Sequence, residues 1–228
     1  MKNKQPKLSV IIPTFNQDVY IGRCLRSLLL QTINHKDYEI IVINDGSTDK
    51  TAYALSLFSN PDHSTIRVIN NKKNIGLPAS LNLGIKNSLS EYIVRVDSDD
   101  YVNKNFLNFL LLYIQTNKEC SAVACDYLLV DDKENEISRE NCILNPIGCG
   151  ILFRKETMIK AGLYDEKFKL HEDSEFRLRY EKNNNIERLK IPLYRYRRHK
   201  SNITNNTRKM RLYQNKLERK HELSVRFE

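Results

Sequence analysis

Four short apolar runs, at residues 8–12, 39–43, 66–69 and 92–96, punctuate the first half of the chain, and a stretch with helical spacing follows each of them. Runs this short and this rich in Ile and Val suit strands covered on both faces. Between them, Ile21, Cys24, Leu25, Leu28 and Leu29 share one helix face, with Asp18 placed to cap it. Ala52, Leu55 and Phe58 mark a second helix, Leu77, Leu81 and Ile85 a third, and Phe106, Leu107, Leu110, Tyr113 and Ile114 a fourth. Strand–helix alternation of this kind folds only with crossover connections. The predicted class is therefore α/β: a mostly parallel, Rossmann-like central sheet flanked by helices. Such sheets bind ligands beyond the carboxyl ends of their strands. The polar clusters at 13–16, 44–49 and 97–100 all fall there.

The second half is less regular. Its pattern predicts a strand over 121–130, a charged loop over 131–141, and a glycine-led strand over 148–153. A helix over 154–161, stopped by Gly162, and another over 172–181 follow. One or two strands span 186–196, and a basic amphipathic helix occupies 209–223 with Met210, Tyr213 and Leu217 on one side. The simplest division is one domain, 1–204, with a basic C-terminal extension, 205–228.

The formal net charge is +9, and it is concentrated late: between Glu187 and Arg211, nine basic residues face Glu187 alone. A solvated surface is one reading of such a run. Nucleic acid, an anionic membrane or a phosphate-bearing substrate are the partners it admits. No nucleic-acid readout motif accompanies it, so nucleic acid is not expected. The five cysteines include no Cys-x-x-Cys pair, which predicts reduced thiols rather than a disulfide frame or zinc site. No apolar run is long enough to span a bilayer. The expected location is cytoplasmic, with the basic tail lying on the inner face of an anionic membrane; a tail helix packed on its own domain or on a second subunit is the other reading.

Three carboxylates within four residues, Asp97, Asp99 and Asp100, repel one another unless a cation or fixed donors sit beside them. Mg²⁺ and Mn²⁺ take such oxygen ligands together with phosphate oxygens. An acidic helix-capping turn is the bland alternative. Asp45, in a turn at another strand end, reads as a base or ribose contact or as part of a capping turn. Asp173 reads as a general base for a hydroxyl or as a helix N-cap.

Taken together, six blocks occur in order: Ser9-Val-Ile-Ile-Pro-Thr-Phe-Asn16, Val42-Ile-Asn-Asp-Gly-Ser-Thr-Asp49, Asn74-Ile-Gly-Leu77 through Leu81-Asn-Leu-Gly-Ile85, Arg95-Val-Asp-Ser-Asp-Asp100, His171-Glu-Asp-Ser-Glu-Phe176, and Tyr194-Arg-Tyr-Arg-Arg-His199 with Ser201 to Thr204. In this the sequence resembles the inverting family-two glycosyltransferases with the type-A nucleotide-sugar fold. The resemblance implies a nucleotide-diphospho-sugar donor, UDP by default, and a saccharide or lipid-linked hydroxyl acceptor in cell-surface polysaccharide or glycolipid synthesis. It implies that Pro13, Thr14, Asn16, Asp45, Asn74, Gly76, Asn82, Arg95, Asp97, Ser98 and Arg198 bind the donor. Asp173 would be the base, and Asp99, Asp97 and His199 would hold Mn²⁺ or Mg²⁺. One departure is Leu81, where many members of the family carry Arg; Arg95 is expected to substitute in part. A sugar nucleotidyltransferase is a weaker alternative, because the loop after the first strand is Pro-Thr-Phe-Asn-Gln and not rich in glycine and basic residues. A non-catalytic nucleic-acid-binding protein leaves the acidic cluster unexplained.

Overall fold

A computed structural model of the chain describes residues 5–58, 65–200, 202 and 205–222. The four apolar runs form β1 (Leu8–Thr14), β2 (Tyr38–Asn44), β3 (Ile66–Asn70) and β4 (Tyr92–Arg95). Every residue of β1 is buried, which is why the run reads as continuous rather than alternating. These strands pair in parallel in the order β3-β2-β1-β4. The chain thus builds outward from β1 on one side and returns to its other side, opening a crevice at the carboxyl ends of β1, β2 and β4. The intervening helices are α1 (Ile21–Leu29), α2 (Thr51–Ser56) and α3 (Leu77–Asn87).

The rest of the chain extends the same sheet. In order come β5 (Tyr101–Val102), α4 (Phe106–Thr116), β6 (Ala122–Val130), β7 (Glu136–Glu140), β8 (Ile151–Arg154), α5 (Lys155–Lys160), α6 (Glu172–Tyr180), β9 (Ile186–Arg197) and α7 (Thr207–His221). Beyond β4 the strand order is β8-β6-β9-β5, with β7 on β6. β8 is antiparallel to both β4 and β6, and β9 is parallel to β6, so β6 and β9 run the same way as β1–β4.

Two local expectations are corrected and a third is narrowed. Asp18 does not cap α1: its N–H donates to the Asp49 carboxylate at 3.2 Å, and the residue at the cap position is Tyr20. The charged loop over 131–141 contains β7, whose sequence Glu-Ile-Ser-Arg-Glu lacks an apolar face because it pairs with one strand only. The segment over 186–196 is a single strand. Its register against β6 shifts so that Asp126 faces Pro192, and the bulge accommodates a residue with no N–H to donate.

α7 packs on its own chain. Leu217 is buried, Lys216 donates to the Lys167 carbonyl at 2.6 Å, and Tyr213 meets Phe168 edge-on. Lys220 reaches both Asp165 (2.7 Å) and Glu175 (2.6 Å). Glu175 is fully buried and also pairs with Arg179. Glu175→Gln removes the charge on which these cations converge and is expected to cost about 2 kcal/mol. A lower urea midpoint at unchanged slope would register it; an unchanged midpoint would refute it. Among the described residues no helix is long and apolar enough to cross a membrane.

Candidate active site

The crevice at the strand ends encloses a cavity of about 490 Å³. The end of β1 contributes Pro13 and Thr14, the end of β2 contributes Asp45, and the entry to α3 contributes Asn74, Gly76, Leu77 and Ser80. The end of β4 adds Arg95, Asp97, Ser98 and Asp99. Thr14 and Ser80 belong to the cavity wall, and among the described residues their buried Oγ1 and Oγ have no hydrogen-bond partner.

Asp45 is buried and organises this wall. Its Oδ1 accepts from Asn71 Nδ2 (2.8 Å) and the Ile75 N–H (2.9 Å), and its Oδ2 accepts from the Gly76 N–H (2.9 Å). A carboxylate oxygen accepts two bonds, so Oδ2 keeps one position for a further donor. The two loops touch backbone to backbone: Gly46 has φ +71°, and a Cβ there would lie 2.7 Å from the Lys73 carbonyl carbon. Asn16 stands outside the cavity wall. In the left-handed region (φ 54°), it accepts the Thr48 N–H at 2.8 Å and ties the first loop to the second.

At the other end, the acidic cluster divides into three roles. Asp97 receives Arg95 side-on, from Nε at 2.6 Å and from Nη2 at 3.0 Å. Burial pushes its carboxyl up, and Arg95 pulls it back. Asp100 points inward, accepting the Tyr194 hydroxyl and the Arg197 N–H, each at 2.7 Å, and burial holds it well above the usual carboxylate range. It fastens β9 to the turn. Asp99 Oδ2 lies 2.9 Å from His199 Nε2, and the His199 ring packs on Tyr20 with centroids 4.7 Å apart.

Two groupings could hold a cation. Asp97, Asp100 and Cys149 converge within 4.8 Å. Burial, then Asp97 and Asp100, push the Cys149 thiol well up, and a neutral soft sulfur suits Mg²⁺ or Mn²⁺ poorly. Asp99 with His199 fits better. Both are harder donors than a thiol, and the 2.9 Å contact between Oδ2 and Nε2 is a hydrogen bond that a bound ion would replace. Asp97, expected among the ligands, receives one bond from Arg95 on each oxygen, which leaves each with a further accepting position.

Asp173 is the second residue of α6 and is half-buried. The cap position belongs to His171 (φ 56°), so Asp173 is not an N-cap; its Oδ1 accepts the Ser174 N–H at 2.8 Å. Gly148 explains how α6 comes this close. A Cβ at Gly148 would fall 2.7 Å from Asp173 Cβ and 2.9 Å from Arg95 Nη1. Gly148→Ala must therefore displace one of the two and is expected to lower turnover at least ~10-fold; kinetics equal to those of the parent chain would count against this packing.

Besides Asn16, two expected donor-binding residues lie away from the cavity wall. Asn82 is buried, with Nδ2 donating to the Tyr164 carbonyl (2.9 Å) and Oδ1 accepting the Tyr164 N–H (3.0 Å), so it pins the segment before α6. Arg198 is exposed, in an open groove beside Lys133 and Lys200. Arg197 takes the inward place, donating to the Asp99 carbonyl at 2.9 Å and to Glu134 at 3.0 Å. Alternation along β9 sends these neighbours to opposite faces, a signal the sequence does carry. Ser80, Lys169 and Tyr196 line the cavity without having been anticipated, and Glu172 meets Arg95 at 2.9 Å. Ser201, Ile203 and Thr204 of the sixth block, and residues 223–228 of the tail, lie outside the described residues.

Comparisons with known proteins bear on this geometry. The family model "Glycosyl transferase family 2" matches residues 9–221. Glycosyltransferase GlyA of Streptococcus pneumoniae is 38% identical over 104 residues, 46% of this chain and 14% of GlyA. A poly(ribitol-phosphate) beta-glucosyltransferase of Bacillus spizizenii is 40% identical over 102 residues, 44% of this chain and 16% of that protein. The structure of S. aureus TarS 1-349 in complex with UDP-GlcNAc superposes with a TM-score of 0.80 at 22% identity, over 97% of this chain and 68% of that one. The chain spans 14% to 16% of the length of these two curated relatives.

Proposed function

The chain belongs to glycosyl transferase family 2, and we propose that it moves a sugar from a nucleoside-diphosphate sugar, with UDP as the nucleotide, to a hydroxyl of a saccharide or lipid-linked acceptor, inverting the anomeric centre, in the assembly of a cell-surface polysaccharide or glycolipid. The observation that carries this reading is one cavity whose wall joins Asp45 and two unpartnered hydroxyl-bearing residues at one end to Asp97 and Asp99 at the other. A nucleoside needs fixed polar contacts, which the Asp45 end offers; a diphosphate needs positive charge, which Asp99 would supply by holding a cation and to which Lys169 of the same wall adds. Likeness to a structure holding UDP-GlcNAc and to a beta-glucosyltransferase of a polymer supports the choice of donor and acceptor class.

In this reading Asp45 receives an N–H of the base at its remaining Oδ2 position. Asp97, held flat by Arg95, faces the ribose or the sugar. Asp99 and His199 would hold Mg²⁺ or Mn²⁺, which supplies positive charge to the diphosphate as it leaves. Asp173 takes the proton of the acceptor hydroxyl as its oxygen attacks the anomeric carbon opposite the leaving group. One base and one displacement leave the configuration inverted. Exposed Arg208, Lys209 and Arg211 beside exposed Leu212 support a peripheral contact with anionic lipid on the cytoplasmic face, where a lipid-linked acceptor would lie. Co-sedimentation with anionic vesicles at low salt, lost at high salt, is the expected result; equal recovery with neutral vesicles would remove that part of the proposal.

A thermal-shift screen of nucleotides with and without Mn²⁺ tests the donor assignment. At a hundred times its Kd a ligand adds about 2.7 kcal/mol, which for a chain of this size is roughly 5–10 °C. UDP with Mn²⁺ should give that shift, and uridine without the metal should not. No shift with any nucleoside diphosphate would overturn the reading.

A further inference from the structure

Arg95 does more than face a ligand. Its guanidinium is planar, with donors in a fixed fork. Nε and Nη2 grip Asp97 at 2.6 and 3.0 Å, while Nη1 reaches Glu172 Oε1 at 2.9 Å. One rigid plane therefore relates the Asp97 carboxylate, just past β4, to the first residue of α6, which lies 77 positions after Arg95. Arg95 and Glu172 are 8% and 5% exposed, so solvent screens their pairing little.

The tether acts at the entry to α6, ahead of the buried Glu175, Phe176 and Tyr180 that anchor the rest of the helix. The segment leading into it is irregular, with positive φ at Gly162 (90°), Leu163 (54°) and His171 (56°), and no side chain caps the helix. Successive residues of a helix are turned by roughly 100° about its axis. Fixing Glu172 against Arg95 therefore also fixes the direction of Asp173, which emerges against Gly148, where no Cβ intervenes. We propose that Glu172 is a positioning residue: through Arg95 it sets the placement of Asp173 relative to Asp97, and hence of the proton acceptor relative to the bound donor. This rests on the reading of Asp173 as the base.

The experiment is a mutant cycle in the full chain, with turnover of UDP-GlcNAc in Mn²⁺ as one readout and UDP affinity by calorimetry as another. Glu172→Ala should lower kcat about 30- to 100-fold, the scale of a misplaced catalytic group, and leave UDP affinity within about 2-fold. Glu172→Gln, whose amide oxygen can still accept from Nη1, should recover kcat to within about 5-fold of the parent. In an Asp173→Asn background, Glu172→Ala should cost less than about 2-fold more, because the group it positions is already disabled. Losses that multiply across the two backgrounds, or full kcat in Glu172→Ala, would overturn the proposal.

Hydrogen exchange provides a second test that needs no turnover. Glu172→Ala should raise exchange about 10-fold or more both at 95–100 and at 172–176, with the remaining sheet unchanged. A rise confined to one of the two segments would overturn the tether. A parent chain that turns over no nucleotide sugar would remove the proposed function, and the exchange data alone would then decide the tether.

Discussion

Asp173→Asn is expected to lower transfer roughly 10²- to 10⁴-fold, the usual contribution of a positioned proton acceptor, while UDP affinity stays within about 2-fold. The substitution keeps shape and removes basicity. Its structural cost is small, since the bond from the Ser174 N–H to Oδ1 can be kept by the amide oxygen. Asp173 is absent from the residues that line the donor cavity, which is why binding and turnover should separate. Measuring kcat, acceptor KM and UDP affinity on the same preparation checks this. A variant with parent-like kcat would mean that another group takes the proton, and a parallel loss of UDP affinity would place Asp173 in donor binding instead.

How the sequence anticipated this arrangement differs between the two halves of the chain. The elements of the parallel half were legible because each is a physically extreme case. β1 is buried along its whole length, so its run is continuous, and α1 buries one face, so its apolar residues keep helical spacing. The strand ends then had to carry the polar clusters, and Asp45, Asp97 and Asp99 do line one cavity. What spacing does not encode is which carboxylate is already engaged. Asp97, Asp99 and Asp100 look equivalent along the chain, yet Arg95 grips the first, His199 meets the second and Tyr194 holds the third. Those partners come from β4 itself, from the end of β9 and from beyond it, and only the folded sheet brings them together. Asn82 shows the converse: it sits within a recognisable block, but its amide is committed to Tyr164 across 82 residues. β7 was illegible because an edge strand with a polar sequence has no apolar alternation to display.

The largest stability effect is expected from Arg95→Met. This substitution keeps most of the side-chain volume and removes the cation between Asp97 and Glu172. Breaking a buried ion pair from one side costs about 3–5 kcal/mol, because the partner is stranded without compensation. Here two carboxylates are stranded. About 4 kcal/mol corresponds to a Tm lower by roughly 8–16 °C for a chain of this length. The pH dependence identifies the cause. Burial already pushes Glu172 up to about 7 with Arg95 pulling it down, and burial raises Asp97 as well. Without Arg95 both rise further. A group whose folded pKa lies above its unfolded value contributes stability at pH below the unfolded value and loses it as pH rises through the folded one. The deficit of Arg95→Met should therefore be smallest near pH 5, where both carboxyls can protonate, and should grow as the pH rises through 7 to 8. Adding Glu172→Gln should return part of the loss at pH 8, since one of the two stranded charges is then gone, and should return little at pH 5. Thermal melts of the three proteins across this range give the answer. A deficit independent of pH would mean that Arg95 stabilises the fold by packing its aliphatic stem rather than by holding two carboxylates together.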